Sequence, residues 1–140
     1  MRIRPFDVAD EDAVIALWRA CDLVRPWNDP RQDIERKLGT QPEVFLVGEL
    51  DHRLVASVMA GFDGHRGWVN YLAVAPDRKR SGLGRALMAH VEARLQERGC
   101  PKLNLQVRAS NQEAVAFYRR LGYSVDEVVS MGKRLIADEA

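Results

Sequence analysis

Residues 76–86 read P-D-R-K-R-S-G-L-G-R-A, and this stretch decides how the rest of the chain is interpreted. It joins an apolar run, Tyr71 to Ala75, to a helical pattern that starts near Leu83. A strand that ends in a glycine-containing loop before a helix leaves several backbone N–H groups unpaired and close together. Gly82 and Gly84 let the backbone approach an anion closely, and the helix N-terminus attracts negative charge. The stretch therefore predicts a phosphate-binding loop.

The spacing of the loop excludes two other phosphate-binding motifs. A Walker loop requires G-x-x-x-x-G-K-[ST], which the chain does not contain. The dinucleotide fingerprint G-x-G-x-x-G requires a small residue where this chain has Leu87. The pattern that remains is R/Q-x-x-G-x-G, which residues 79–84 match with lysine in the first position. The cations in and beside this loop are Arg78, Lys79, Arg80 and Arg85. On the loop alone, a basic turn that merely caps a helix is the alternative.

A second informative segment, residues 111–123, reads N-Q-E-A-V-A-F-Y-R-R-L-G-Y. Asn111 or Ser110 can cap a helix there, and Gly122 can end it. The residues that fall on one face of this helix are Ala114, Phe117, Tyr118 and Leu121. Three of them are ordinary core residues, whereas a buried tyrosine must also place its hydroxyl group. Tyr118 is therefore a candidate functional residue.

Together the two segments resemble the GNAT superfamily of acetyl-CoA-dependent N-acetyltransferases. Residues 79–84 resemble its pyrophosphate loop, and residues 111–123 match its N-x-x-A-x-x-F-Y-x-x-x-G-[FY] segment at every marked position. The resemblance extends from about Ile3 to about Leu135. It implies one N-acetyltransferase domain over residues 1–140, of the α/β (α+β) class. The implied sheet is mixed and mostly antiparallel, with flanking helices and two parallel central strands that splay apart.

Hydrophobic periodicity predicts how strands and helices alternate along the chain. The predicted strands are residues 2–6, 44–50, 54–62, 68–75, 103–107, 124–128 and 130–136. The predicted helices begin near residues 10, 29, 83 and 111. Asp10 is expected to cap the first, and the second carries Ile34 and Leu38 inward. A helical crossover precedes residues 103–107, so this strand should lie parallel to residues 68–75.

The resemblance also implies where acetyl-CoA binds. The backbone of Leu72, Ala73 and Val74 would pair with the pantetheine amides, and one N–H would polarise the thioester carbonyl. The pyrophosphate would lie over the loop, whose residues are Lys79, Arg80, Ser81, Gly82, Leu83 and Gly84, with Arg78, Arg80 or Arg85 near the 3′-phosphate. Asn111 would hold the pantetheine arm, and Tyr118 would give a proton to the departing sulfur. No metal is expected.

The resemblance does not supply a general base. Residues 103–111, L-N-L-Q-V-R-A-S-N, are similar to the equivalent strand of enzymes that acetylate the N-terminal alanine of a ribosomal protein. Those enzymes carry glutamate where this chain has Gln106, and an amide cannot accept the proton. The similarity therefore does not carry that substrate over. Asp63, His65 and Glu49, directly or through water, are the candidate bases, although a turn or surface role is the ordinary alternative for each.

The acceptor site should involve residues 21–30, C-D-L-V-R-P-W-N-D-P, because the first two helices form one wall of the acceptor groove in this superfamily. Trp27 and Arg25 could frame an acceptor amine, and Asp22 or Asp29 could attract its positive charge. The alternative is structural: Trp27 would close the edge of the core, and Asp29 would cap a helix.

Composition is that of a soluble enzyme domain. The 140 residues suffice for one hydrophobic core, and the net charge of +1 with a local basic cluster disfavours a nucleic-acid-binding face. Cys21 and Cys100 have no CxxC spacing, and no secretory or membrane segment is evident, so we expect reduced thiols and a cytoplasmic protein. The expected partner is an amine acceptor, and the protein should be a monomer or homodimer. A non-catalytic acyl-CoA-binding or sensing domain is the alternative, but it would not need Tyr118.

Overall fold

The computed structural model describes residues 1–138, so the last two residues of the predicted domain lie outside the described part. Its first half contains strand β1 (Arg2–Pro5), helices α1 (Glu11–Ala20) and α2 (Pro30–Leu38), and strands β2 (Phe45–Leu50) and β3 (Arg53–Phe62). Its second half contains strand β4 (Gly67–Val74), helix α3 (Leu83–Glu97), strand β5 (Leu103–Leu105) and helix α4 (Gln112–Arg120).

The strands form one sheet in the order β1-β2-β3-β4-β5. The first three pairs are antiparallel, and β4 pairs with β5 in parallel, as the helical crossover predicts. Helices pack on both faces of this mixed sheet. The predicted fold class is confirmed.

Side chains of the middle strands point alternately to the two faces of the sheet, and this divides the core into two layers. Phe45 and Val47 of β2 point to the face covered by α1 and α2, where they join Trp18 and Ile34. Leu46 lies between them in sequence and points to the opposite face, with Leu87 and Val91 of α3. Successive side chains of a strand leave opposite faces, so a strand covered by helices on both sides is apolar throughout. Both faces are therefore buried in the centre of the sheet.

A buried hydrogen-bond chain ties α1 to β4. The indole N–H of Trp18 donates to Ser57 Oγ at 2.8 Å, and the Ser57 hydroxyl donates to the backbone carbonyl of Tyr71 at 3.0 Å. The Trp18 ring also stacks on the Tyr71 ring, with centroids 3.8 Å apart. Buried polar groups are stable only when paired, so this chain holds Tyr71 in one position.

Strand β4 carries a bulge at Tyr71. Ser57 and Met59 of β3 pair with Ala73 and Asn70 of β4, so β4 uses one residue more than β3 between the two pairs. Tyr71 has a φ of +54°, which an L-residue rarely adopts. Pairing of β4 with β5 ends at Val69 and Leu105, whereas β4 continues to Val74. The two parallel strands therefore part just before the bulge.

The predicted strands 124–128 and 130–136 are wrong. Residues 124–138 follow α4 without a helix or strand, and β5 consequently lies at the edge of the sheet. Side chains rather than a backbone ladder hold this segment. Lys102 Nζ lies 2.8 Å from an Asp126 carboxylate oxygen, and Arg134 donates to Asn28 Oδ1 at 2.7 Å. The apolar residues whose alternation predicted the strands are exposed: Val125, Val128, Val129, Met131, Leu135 and Ile136.

Three smaller predictions also differ from the structure. Strand β5 ends at Leu105, two residues earlier than expected. Leu38, the last residue of α2, is 37% exposed, whereas Ile34 is buried as predicted. Asp10 stands at the N-terminus of α1 without capping it, since its carboxylate binds Arg4 at 2.7 and 2.8 Å.

Candidate active site

The predicted phosphate loop has the backbone that such a site needs. Gly82 is the N-cap of α3 with a φ of +83°, and Arg80 has a φ of +63°. No side chain forms a capping hydrogen bond at this end of α3, so its first N–H groups are available to a ligand. The Ser81 hydroxyl donates to the carbonyl of Arg78 and braces the turn. A helix N-terminus with free N–H groups and neighbouring cations is suited to a phosphate.

Gly84 is the point where three elements meet. A Cβ at Gly84 would lie 3.1 Å from Phe117 Cζ of α4 and 3.6 Å from Val74 Cγ2 at the end of β4. Contacts near 3 Å are too short for carbon atoms, so only glycine fits here without a shift of Phe117. The absence of a side chain thus brings the start of α3 close to both α4 and β4.

Tyr118 follows Phe117 and packs in the same apolar layer as Leu72 and Val74. Its ring makes edge contacts with the rings of Phe117 and Tyr123, with centroids 5.0 and 5.8 Å away. Burial raises the pKa of Tyr118 to about 12. The phenol is therefore protonated at neutral pH, as a proton donor must be.

Asn111 caps α4, since its Oδ1 accepts the Ala114 N–H at 3.1 Å. That bond uses the acceptor atom of the amide and leaves the NH₂ group as the part that can donate to a ligand. The predicted strand residues Ala73 and Val74 pair with Ser57 and Ala56 along one edge of β4. Their other edge lies beyond the last pair with β5, so its backbone groups can pair with an extended ligand.

A cavity of about 610 Å³ lies on the α1–α2 side of the bulge. It is lined by the loop between these helices, by α2, by β3 and β4, and by residues that follow β5; its lining includes Trp27, Asp33, Lys37, Tyr71, Gln106 and Arg108. Arg25 and Trp27 line it as predicted, and Trp27 is 52% exposed instead of closing the core. Asp22 and Asp29 have other roles, because Asp22 pairs with Arg25 and Asp29 accepts the Arg31 N–H at 2.9 Å.

Sequence reasoning missed a pair of side chains within this cavity. The Tyr71 hydroxyl donates to Asp33 Oδ2 at 2.5 Å, and Arg36 Nη1 lies 3.2 Å from Asp33 Oδ1. Burial and the neighbouring Asp33 carboxylate raise the pKa of Tyr71, so this phenol stays protonated. Asp33 directly precedes the inward Ile34, which places it at the border between the core-facing and solvent-facing sides of α2. That position was the available signal, but nothing in the pattern pairs it with Tyr71.

Of the predicted candidate bases, Glu49 and His65 do not line this cavity, whereas Asp63 lines an adjoining cavity of about 240 Å³ that shares residues such as Met59 and Asn70 with it. Glu49 bonds to Arg4 across β1 and β2. Asp63 accepts the N–H groups of His65 and Arg66, both at 2.8 Å, and the pKa of Asp63 is lowered by these bonds. His65 is exposed on the same turn. Gln106 does line the cavity, and its amide donates to Ser130 Oγ.

The two cysteines are free in the structure. Cys21 donates its thiol to the Val74 carbonyl at 3.2 Å, and burial raises the pKa of Cys21. A raised pKa keeps the thiol protonated and unreactive. Among the helices of residues 1–138, none has the length and apolar character needed to span a membrane.

Comparison with known proteins agrees with this architecture. Residues 12–123 match the model of the Acetyltransferase (GNAT) family. An acetyltransferase of Yersinia enterocolitica is 50% identical over 139 residues, which are 99% of both chains. An acetyltransferase of Pectobacterium atrosepticum is 49% identical over 138 residues, covering 99% of this chain and 98% of the relative. The chain therefore belongs to the GNAT acetyltransferase family, and the protein is an N-acetyltransferase.

A solved structure gives the same result for the fold. The ribosomal-protein alanine N-acetyltransferase of Escherichia coli superposes with a TM-score of 0.71 at 27% identity, covering 86% of this chain and 76% of that one. This is the class of enzyme to which residues 103–111 are similar.

Proposed function

We propose that this protein transfers the acetyl group of acetyl-CoA directly from the thioester to a primary amine bound in the cavity beside Tyr71. The observation that carries the proposal is the convergence at Gly84, where the loop of α3, the α4 helix of Tyr118 and the end of β4 come into contact. The phosphate-binding, thioester-binding and proton-donating parts would thereby act on one donor molecule.

Donor binding would use backbone groups first. The N–H groups at the start of α3 and residues 79–84 would bind the pyrophosphate, and Arg78, Arg80 or Arg85 would bind the 3′-phosphate. The free edge of β4 at Leu72, Ala73 and Val74 would pair with the pantetheine amides, assisted by Asn111. One of these N–H groups would stabilise the negative charge that develops on the thioester oxygen.

Proton movement would involve both sides of the site. Tyr118 is protonated and half-buried, which suits it to give its proton or a hydrogen bond to the departing thiolate. On the acceptor side Asp33 is the carboxylate of the cavity lining, and it would hold the amine near Tyr71. Gln106 lines the cavity without a basic group, so the attacking amine would lose its proton to Asp33 or to water in the open cavity.

Tyr118→Phe tests this mechanism, because it removes one hydroxyl and keeps the ring that packs against Phe117. We expect kcat to fall by about 10²-fold, the usual effect of one general acid, with an unchanged Kd for acetyl-CoA. Release of the CoA thiol with an amine that is turned over gives kcat, and calorimetry gives Kd. An unchanged rate under conditions where chemistry limits turnover would remove Tyr118 from the mechanism.

A further inference from the structure

We propose that the acceptor is a small amine that also carries a carboxylate, and that Arg108 binds this carboxylate at the exposed end of the cavity. The inference rests on the proposed function, because it names the substrate class of the same site. It follows from the charges that line the cavity and from how much of that charge the protein itself neutralises.

The cavity lining carries more positive than negative charge. Its cations are Arg25, Arg36, Lys37 and Arg108, and its carboxylate is Asp33. A concave surface with an excess of one charge raises the local concentration of ligands with the opposite charge. The same field repels an amine that carries several positive charges. An anionic group on the acceptor would therefore favour binding here.

Two of these cations already have partners. Arg25 Nη1 lies 3.1 Å from Asp22 Oδ1. Arg36 lies 3.2 Å from Asp33 and 2.5 Å from Asp138, whose side chain is almost fully covered. Arg25 is thereby balanced by one carboxylate, whereas Arg36 is shared by two, so the Arg36 group keeps one net negative charge beside Asp33. The excess charge therefore belongs to the other two cations.

Arg108 has no carboxylate partner within residues 1–138, and it contacts an aromatic ring instead. Its guanidinium carbon lies 5.8 Å from the centroid of the Trp27 ring. The attraction of a guanidinium to an indole face occupies none of its N–H groups with a carboxylate. Those N–H groups form a fork that matches the two oxygens of a carboxylate. Trp27 thus holds the Arg108 guanidinium at the cavity, where its N–H groups can bind a planar anion.

Lys37 adds a second cation that no carboxylate contacts in the described part of the chain. Its ammonium group is half-buried and donates to the Ala60 carbonyl, and burial lowers the pKa of Lys37. A partly desolvated ammonium is stabilised by an anion in the same cavity. Lys37 would therefore support the Arg108 contact from the α2 side.

Asp33 supplies the opposite charge for the amine of the same ligand. It lies beside the Tyr71 hydroxyl at the bulge of β4, whereas Arg108 follows β5. An aminocarboxylate would place its amine at Asp33 and its acid group at Arg108. Polyamines would meet the positive end of the cavity, and simple alkylamines would leave it unpaired.

The experiment compares amines that differ in one charge. α-Amino acids and a series of ω-amino acids are assayed beside their amides, with spermidine and phosphoethanolamine in the same set. Each is tested with wild-type protein, Arg108→Gln, and the matched control Arg119→Gln, an exposed arginine of α4 outside the cavity lining. Thiol release gives kcat and KM, and calorimetry with acetyl-CoA is run on all three proteins.

The expected result is faster turnover of at least one amino acid than of its amide. In Arg108→Gln the KM for that acid should rise about 10- to 100-fold, the effect of one charge-assisted contact, while its kcat and the amide kinetics stay unchanged. Arg119→Gln should behave like wild type. The inference would be overturned if phosphoethanolamine were preferred to every carboxylate, or if spermidine or the amides were preferred. It would also be overturned if the protein bound acetyl-CoA but turned over no aminocarboxylate. Loss of acetyl-CoA binding itself would instead contradict the proposed function.

Discussion

Replacement of Gly82 by alanine tests whether the loop binds acetyl-CoA, separately from its contribution to folding. Gly82 has a φ of +83°, and a Cβ there would have no protein atom within 4 Å. The added methyl group therefore causes no clash within the protein. Its cost is backbone strain, about 1–2 kcal/mol for an L-residue in the left-handed region. For a domain of this size that loss lowers Tm by ~2–8 °C.

Gly99 provides a matched control for this strain. It has a φ of +81° after the C-terminus of α3, and a Cβ there also meets no atom within 4 Å. Gly99→Ala should therefore lower Tm by about the same amount as Gly82→Ala. Only Gly82→Ala should weaken acetyl-CoA binding, because its methyl group occupies the open side of the loop and its relaxation turns the first N–H groups of α3 away from the phosphate.

Calorimetry with acetyl-CoA and thermal melts of the two variants give the answer. We expect Gly82→Ala to raise Kd at least tenfold, equivalent to ~1.4 kcal/mol, and Gly99→Ala to leave Kd at the wild-type value. Wild-type Kd values for both variants, with both folded, would show that the pyrophosphate does not bind at residues 79–84. Equal weakening in both would show that general destabilisation, and not the loop, controls binding.

Two further predictions concern the framework of the site. Trp18→Phe removes the indole N–H that donates to Ser57. We expect the free energy of unfolding, measured in urea, to fall by about 1–3 kcal/mol. An unchanged urea midpoint would contradict the role given to this hydrogen bond. The Arg36 guanidinium and the Asp29 N–H lower the pKa of Asp138 to about 2. The ionised Asp138 carboxylate therefore stabilises the folded state fully above the pKa of the unfolded carboxyl, and this stabilisation is lost as pH falls towards 2. Asp138→Asn should therefore lower Tm at pH 6 and match wild type near pH 2, and a Tm difference that does not depend on pH would refute this linkage.

Features that depend on local conformation were predictable from the sequence. The loop at residues 79–84 needs a left-handed residue before α3, and glycine at position 82 satisfies that need. The helix α4 carries its own start and stop signals, the Asn111 cap and Gly122 with a φ of +96°. These signals act within a few residues of backbone, so they can be recognised from the sequence alone.

Features that depend on a partner distant in the chain were decided by the tertiary structure. Alternating apolar residues in 124–136 predicted strands, but a strand also needs a free edge in register, and the segment is held by side chains instead. The pairs Asp33–Tyr71 and Trp27–Arg108 join α2 to the bulge of β4 and the first loop to the residues after β5. Residue types specify which contacts are chemically possible, whereas packing of the two helical layers on a bulged sheet selects the contacts that form the cavity beside Tyr71.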